Sequence, residues 1–292
     1  MHRPPFPPWR PLAAAVLALS LAGLPAHAQL IRSGAGASAA DILGAVNLFR
    51  TDLGTLNPNV PGSFGSGRRE INWDGVPDAF SAPNNLPANF FNSNSPRGAV
   101  FSTPGTGFQV SADSDNPTTT PVEFDNLNPE YHRLFAPFSP QRLFTALGSN
   151  ILDVHFFIPG TDTPALTRGF GSIFSDVDVG TDTWMQFFDA GNVSLGTFFL
   201  AAVSGLETFS FLGVSYAQPT ISRVRIQSGT ALPGEDENLQ NLQQLRDAVV
   251  MDDFLYGEPT LAQQQVVPEP LSLILLGTGL AGVGAVARRR KR

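Results

Sequence analysis

Ile221-Ser222-Arg223-Val224-Arg225-Ile226, bordered by Pro219 and Gly229, is the clearest period-two stretch in the chain. Such a period sets Val224 and Ile226 on one face of a strand and Arg223 and Arg225 on the other. Strand-like runs recur on its N-terminal side at Glu70–Trp73, Ala99–Phe101, Phe108–Ser111, Arg142–Ala146, Ile151–Ile158 and Gly169–Asp176. They continue at Thr183–Phe188, Ser194–Ala201, Thr208–Ser215, Thr220–Gln227 and Ala248–Tyr256. Asp189-Ala190-Gly191-Asn192, between two aromatic runs, is a hairpin signal because Gly and Asn tolerate positive φ. Helical patterning is scarce: Asp41 to Leu53 carries Ile42, Leu43, Val46, Leu48 and Phe49 and stops at Gly54. Too few helices alternate with the strands for a parallel α/β fold. The expectation is a mainly β chain: one antiparallel β-sandwich, jelly-roll-like, with a short N-terminal helix.

Composition agrees. The 292 residues are 42% hydrophobic and only 15% charged, with 28 Gly, 25 Pro and 23 Phe against three Tyr. Phe is suited to fill an inter-sheet core, and Gly and Pro to punctuate strands. No cysteine is present, which excludes disulfide scaffolds, zinc ribbons and thiol nucleophiles. Residues 29–267 hold 11 arginines, no lysine and 24 carboxylates, a formal −13. That balance excludes a nucleic-acid partner, which needs clustered cations.

Both ends look like addresses. Arg3 and Arg10 precede the uncharged run Leu12 to Leu24, and Ala26-His27-Ala28 fits a small-x-small cleavage site, so 1–28 reads as a secretory signal peptide. Val267-Pro268-Glu269-Pro270 precedes seventeen uncharged residues, 271–287, and then Arg288-Arg289-Arg290-Lys291-Arg292. As a helix the run would span about 26 Å, close to a bilayer core, with the basic tail cytoplasmic. Gly277, Gly279 and Gly282 satisfy a dinucleotide fingerprint, but no strand precedes them and no acid follows, so that reading is rejected. The expected organisation is 1–28 signal peptide, 29–67 lead-in with a short helix, 68–257 sandwich, 258–266 linker and 267–292 sorting signal. Gly229 to Arg246 reads as a long polar surface loop with a helical turn near 239–245.

Pro-Glu-Pro, a hydrophobic helix and an arginine cluster, in that order, resemble the PEP-CTERM sorting signal of Gram-negative bacteria. The resemblance covers about 25 residues and departs at Leu271, where a small residue is common. It implies export, a membrane-tethered precursor, removal of the helix by an exosortase, and delivery to the cell surface or extracellular matrix. A softer likeness runs through Gly169–Asp178, Phe187–Gly191, Phe211–Ser215 and Val250–Gly257, which resemble a β-sandwich module of surface proteins. That likeness implies a scaffold that often binds glycans or calcium.

Candidate chemistry is thin. His132 and His155 are the mature histidines, and alternation sets Asp153 and His155 on one strand face. Two histidines do not make a transition-metal site, and no GxSxG elbow accompanies a serine. Asp176, Asp178 and Asp252 are hard oxygen ligands of the kind calcium takes, although no EF-hand loop is present. Their alternative is turn chemistry at strand ends. Trp73, Trp184 and Tyr256 are candidate sugar-stacking rings, with core packing as the alternative. The expectation is a non-catalytic domain binding extracellular polysaccharide. The alternative is a secreted glycoside hydrolase or lyase working through carboxylates such as Glu70, Asp74, Asp176, Asp178 and Asp252.

Overall fold

The computed structural model describes residues 29–240 and 245–262. The signal peptide, the predicted membrane helix and the sorting tail lie outside these residues, as does part of the helical turn expected at 239–245. Among the described residues no helix is long and apolar enough to cross a membrane.

Twelve strands and one long helix make up the described chain. The strands are β1 (Gln29–Gly36), β2 (Arg68–Ile71), β3 (Ala99–Ser102), β4 (Gly107–Val110), β5 (Phe144–Leu147) and β6 (Ile151–Phe156). They continue as β7 (Gly169–Ser175), β8 (Trp184–Phe188), β9 (Ser194–Phe199), β10 (Phe209–Tyr216), β11 (Arg223–Gln227) and β12 (Val250–Gly257). The last eight pair as nested hairpins: β8 with β9, β7 with β10, β6 with β11 and β5 with β12. Contacts of β11 with β8 and of β12 with β7 then close two antiparallel sheets. This is a long hairpin rolled over on itself, the jelly-roll arrangement. The five-stranded sheet runs β3-β6-β11-β8-β9, and the seven-stranded sheet runs β1-β10-β7-β12-β5-β4 with β2 also on β12. Each of the eleven runs expected from the sequence overlaps a strand, although the first, Glu70–Trp73, leaves β2 after Ile71.

β1 is the strand the sequence does not announce. Gln29–Gly36 was expected to be lead-in, yet it pairs antiparallel with β10 over its whole length. None of its residues is buried, so the pairing rests on backbone hydrogen bonds, which leave no hydrophobic pattern to read.

Helix α1 (Ala39–Leu53) lies on the outside of the seven-stranded sheet. It starts where the Ser38 amide donates to Asp41 Oδ2 at 2.9 Å and ends at Gly54, φ 101°. Ile42, Val46, Phe49 and Leu53 pack on Ile173, Phe211 and Leu255, whereas Leu43 and Leu48 stay exposed. Gly171 and Gly213 face each other across β7 and β10. They form the floor for the Phe49 ring, because a Cβ on either would approach it to 2.8 and 2.7 Å.

Between the sheets lies the phenylalanine core. Phe101, Phe108, Phe144, Phe170, Phe254 and Trp73 form one set of ring contacts, and Phe156 meets Tyr256 with centroids 5.5 Å apart. The Asp189–Asn192 hairpin forms as expected. Asn192 takes φ 59°, and Asp189 Oδ1 accepts the amides of Gly191 and Val193 at 2.8 and 2.9 Å.

Candidate functional site

Asp176 is the residue immediately after β7, and its φ of 67° turns the chain sharply at the end of that strand. Its amide is anchored on the Thr208 carbonyl at 2.9 Å. Two residues on, Asp178 Oδ1 accepts the Gly205 amide at 3.3 Å. From the other side comes the segment between β11 and β12. Asn238 and Arg246 bridge antiparallel, and Gly229 pairs with Ala248, which sets Glu237 and Asp247 beside the first loop. One oxygen each of Asp176, Asp178 and Glu237 lie within 4.8 Å of one another.

The three carboxylates differ in burial and in what satisfies them. Asp176 is fully buried, and no N–H or O–H donor reaches either of its oxygens; Glu237 Oε2 is likewise buried without a donor. Asp247 is also fully buried, yet it accepts the Val179 amide at 3.0 Å and the Asp178 amide at 3.4 Å. Among the described residues no arginine or histidine forms an ion pair with any of the four. Burial, then the charges of Glu237, Asp178 and Asp247, pushes the Asp176 carboxyl up to about 9. Burial raises Asp247 to about 7 against the opposing pull of the two amides, and it raises Asp178 and Glu237 as well. Like charges in a low-dielectric pocket demand either a proton or a cation.

Asp252 does not join this group. β12 shifts register between Met251 and Phe254, and the bulge turns Asp252 toward the loop before β5. There it accepts the Phe138 amide at 2.6 Å and the Ser139 amide at 3.3 Å. Asp253, next to it, takes the Ser139 hydroxyl at 2.9 Å and approaches Arg50 at 3.4 Å. Burial raises both carboxyls, Asp253 to about 6. Glu237 and Asp247 are the members that sequence reasoning missed. Glu235-Asp236-Glu237 reads as a solvated acidic run, and Asp247 as the polar lead of a strand.

The candidate stacking rings divide. Trp73 is buried: it stacks on Phe144 at 4.0 Å, meets Phe254 edge-on, and donates its indole N–H to the Asp252 carbonyl at 3.0 Å. Tyr256 is buried too, and its hydroxyl donates to the Arg97 carbonyl. Both are core residues, so neither can stack on a sugar. Trp184 remains partly exposed on β8.

It stands on the outer face of the five-stranded sheet. Leu152, Val154, Met185, Phe187, Val224 and Ile226 point inward and are buried, so their neighbours form three rows across the outside. One row is Val100, His155, Arg223, Phe188 and Ser194; the next is Ser102, Asp153, Arg225, Gln186 and Thr197. The third is Ile151, Gln227, Trp184 and Phe199, and Phe199 is 55% exposed. Asp153 and His155 share this face, as alternation implies. Asp153 takes Arg223 at 2.6 Å and Arg225 at 2.7 Å. Burial opposes its charge, but the two arginines prevail and hold its pKa below the ordinary value. The Arg223 guanidinium lies 3.7 Å over the Phe188 ring. Burial keeps the His155 pKa low, and its Nε2 contacts Ser102 Oγ at 3.0 Å.

No curated protein and no solved structure matches the chain. One comparison does: residues 266–291 match the PEP-CTERM protein-sorting motif. The match covers Val267-Pro268-Glu269-Pro270, the apolar run and most of the basic cluster. The chain therefore carries a PEP-CTERM sorting motif, which marks it as the precursor of an exported, membrane-associated protein processed by an exosortase.

Proposed function

We propose that the sandwich is a non-catalytic domain that binds extracellular polysaccharide on the outer face of its five-stranded sheet, after sorting to the cell surface or matrix. The observation that carries this reading is the set of three rows. Trp184 and Phe199 offer apolar ring surface, and Arg225, Gln186, Gln227, Ser102 and Thr197 offer hydrogen-bonding groups, on one face of a single sheet. Sugars present the same mixture, apolar ring faces edged by hydroxyls. Asp153 is held between two arginines, which pre-orders their planar groups and reduces what binding must immobilise.

The acids that a carboxylate mechanism would use support the same conclusion, since most of them already have a structural task. Glu70 pairs with Arg50 and Arg68, Asp74 holds the amides of Gln141 and Arg142, and Asp252 holds those of Phe138 and Ser139. A glycosidase needs two carboxylates free to reach the scissile bond from a cleft.

Co-sedimentation with the exopolysaccharide of the producing cell tests the proposal. The wild-type chain is expected to sediment with it, and Trp184→Ala with Phe199→Ala to lose at least tenfold in affinity while melting normally. Undiminished binding by that double variant, or polysaccharide shortened by the wild-type chain, would refute it.

A further inference from the structure

We propose that Asp176, Asp178 and Glu237 bind one divalent cation, calcium, which ties the loop after β7 to the segment that leads into β12. Three observations carry this. The first is convergence. One oxygen each of the three carboxylates lies within 4.8 Å of the others, so a single ion with ligands at about 2.3–2.6 Å can touch all three. All three donors are carboxylate oxygens, the hard ligands calcium takes.

The second is an unmet requirement. Buried polar groups are nearly always paired, and a buried ionised carboxylate without a partner is strongly disfavoured. Asp176 is fully buried, and neither of its oxygens receives a donor. Glu237 Oε2 repeats the pattern. The Asp176 oxygens lie against Asp178 and Glu237 instead of an arginine or an amide, which is the arrangement a metal resolves.

The third is support around the group. Gly205 fixes one oxygen of Asp178, and Asp247 fixes the amides of Asp178 and Val179 from below. Such outer partners hold ligands in place before the ion arrives. Asp178 and Glu237 are only partly buried, so an ion can enter from solvent and keep water among its six to eight ligands. The site belongs to the seven-stranded sheet and does not depend on the polysaccharide reading.

Calorimetric titration of CaCl2 into the full chain, stripped with EDTA, tests the site, with melting followed in parallel. One ion per chain is expected, with melting raised by roughly 5–10 °C at a hundredfold excess over Kd and a smaller rise in MgCl2. Asp176→Asn and Glu237→Gln are expected to lose the calcium response yet to melt in EDTA at or above the wild-type temperature, because each removes a repelling charge. Glu237→Gln alone decides the matter should Asp176→Asn not fold. Asp252→Asn, outside the group, is expected to keep the response. No heat and no shift in the wild type, a response retained by Glu237→Gln, or equal stabilisation by magnesium would overturn the assignment.

Discussion

Replacing Trp73 separates a core tryptophan from a sugar-binding one. The ring is 1% exposed and enclosed by Phe91, Phe101, Phe144 and Phe254. A tryptophan buries roughly 200 Å², which at 25 cal/mol per Å² is worth about 5 kcal/mol. Trp73→Phe keeps one ring and gives up about a quarter of that area, about 1 kcal/mol. It also strips the indole donor from the Asp252 carbonyl, and a buried carbonyl left unpaired costs about 1–3 kcal/mol. The combined loss is about 3 kcal/mol, or roughly 6–12 °C of melting temperature for a domain of this size. Thermal melting by circular dichroism reads that loss, and co-sedimentation at 20 °C or below reads binding. The expected pair of results is a lowered melting temperature with polysaccharide affinity intact. An unchanged melting temperature with weakened binding would mean that Trp73 meets ligand, and the packing argument would fail.

Three further outcomes are expected. Asp253, facing Asp252, Ser139, Arg50 and Glu70, has a folded pKa near 6, above its unfolded value. Its contribution is therefore present below about pH 4 and lost as pH rises through 6, about 3 kcal/mol in all, of which about 2 kcal/mol is lost between pH 4.5 and 7.5. Urea unfolding in EDTA at pH 4.5 and 7.5 should show stability falling with pH, and Asp253→Asn should reduce that fall by about 2 kcal/mol, the remainder belonging to the other raised carboxyls, Asp176, Asp247 and Asp252. Glu258 and Arg69 form a fully buried ion pair at 2.6 Å, and the same guanidinium caps the Pro58, Gly62 and Pro96 carbonyls. Glu258→Ala should cost about 3–5 kcal/mol by leaving that charge unpaired; a loss below 1 kcal/mol in urea titration would contradict it. Replacing Pro268-Glu269-Pro270 by alanines should leave the precursor in the membrane fraction, and normal surface delivery of that variant would contradict the sorting role.

Strands were legible where one face meets the core. Val224 and Ile226 alternate with Arg223 and Arg225 because the two sides of β11 face different media. β1 lacks that contrast, and its partner is chosen by backbone atoms alone. Asp176 and Asp178 were legible as spaced acids at a strand end. Glu237 was not, since it arrives from a distant segment through the Asn238–Arg246 bridge. Asp252 misled because strict alternation fails at a bulge. Trp73 misled for a related reason: its polar neighbours mark a strand end, but a φ of 64° swings the ring inward. Tyr256, by contrast, follows the inward side of β12 with Phe254.

The most direct test of the binding account is amide chemical-shift mapping on the folded domain as polysaccharide is added. Shifts are expected to concentrate on β6, β11, β8 and β9, strongest near Trp184, Phe199, Arg225 and Gln227. Shifts confined to the Asp176–Glu237 loops or to the α1 side of the molecule, with the outer face silent, would contradict it.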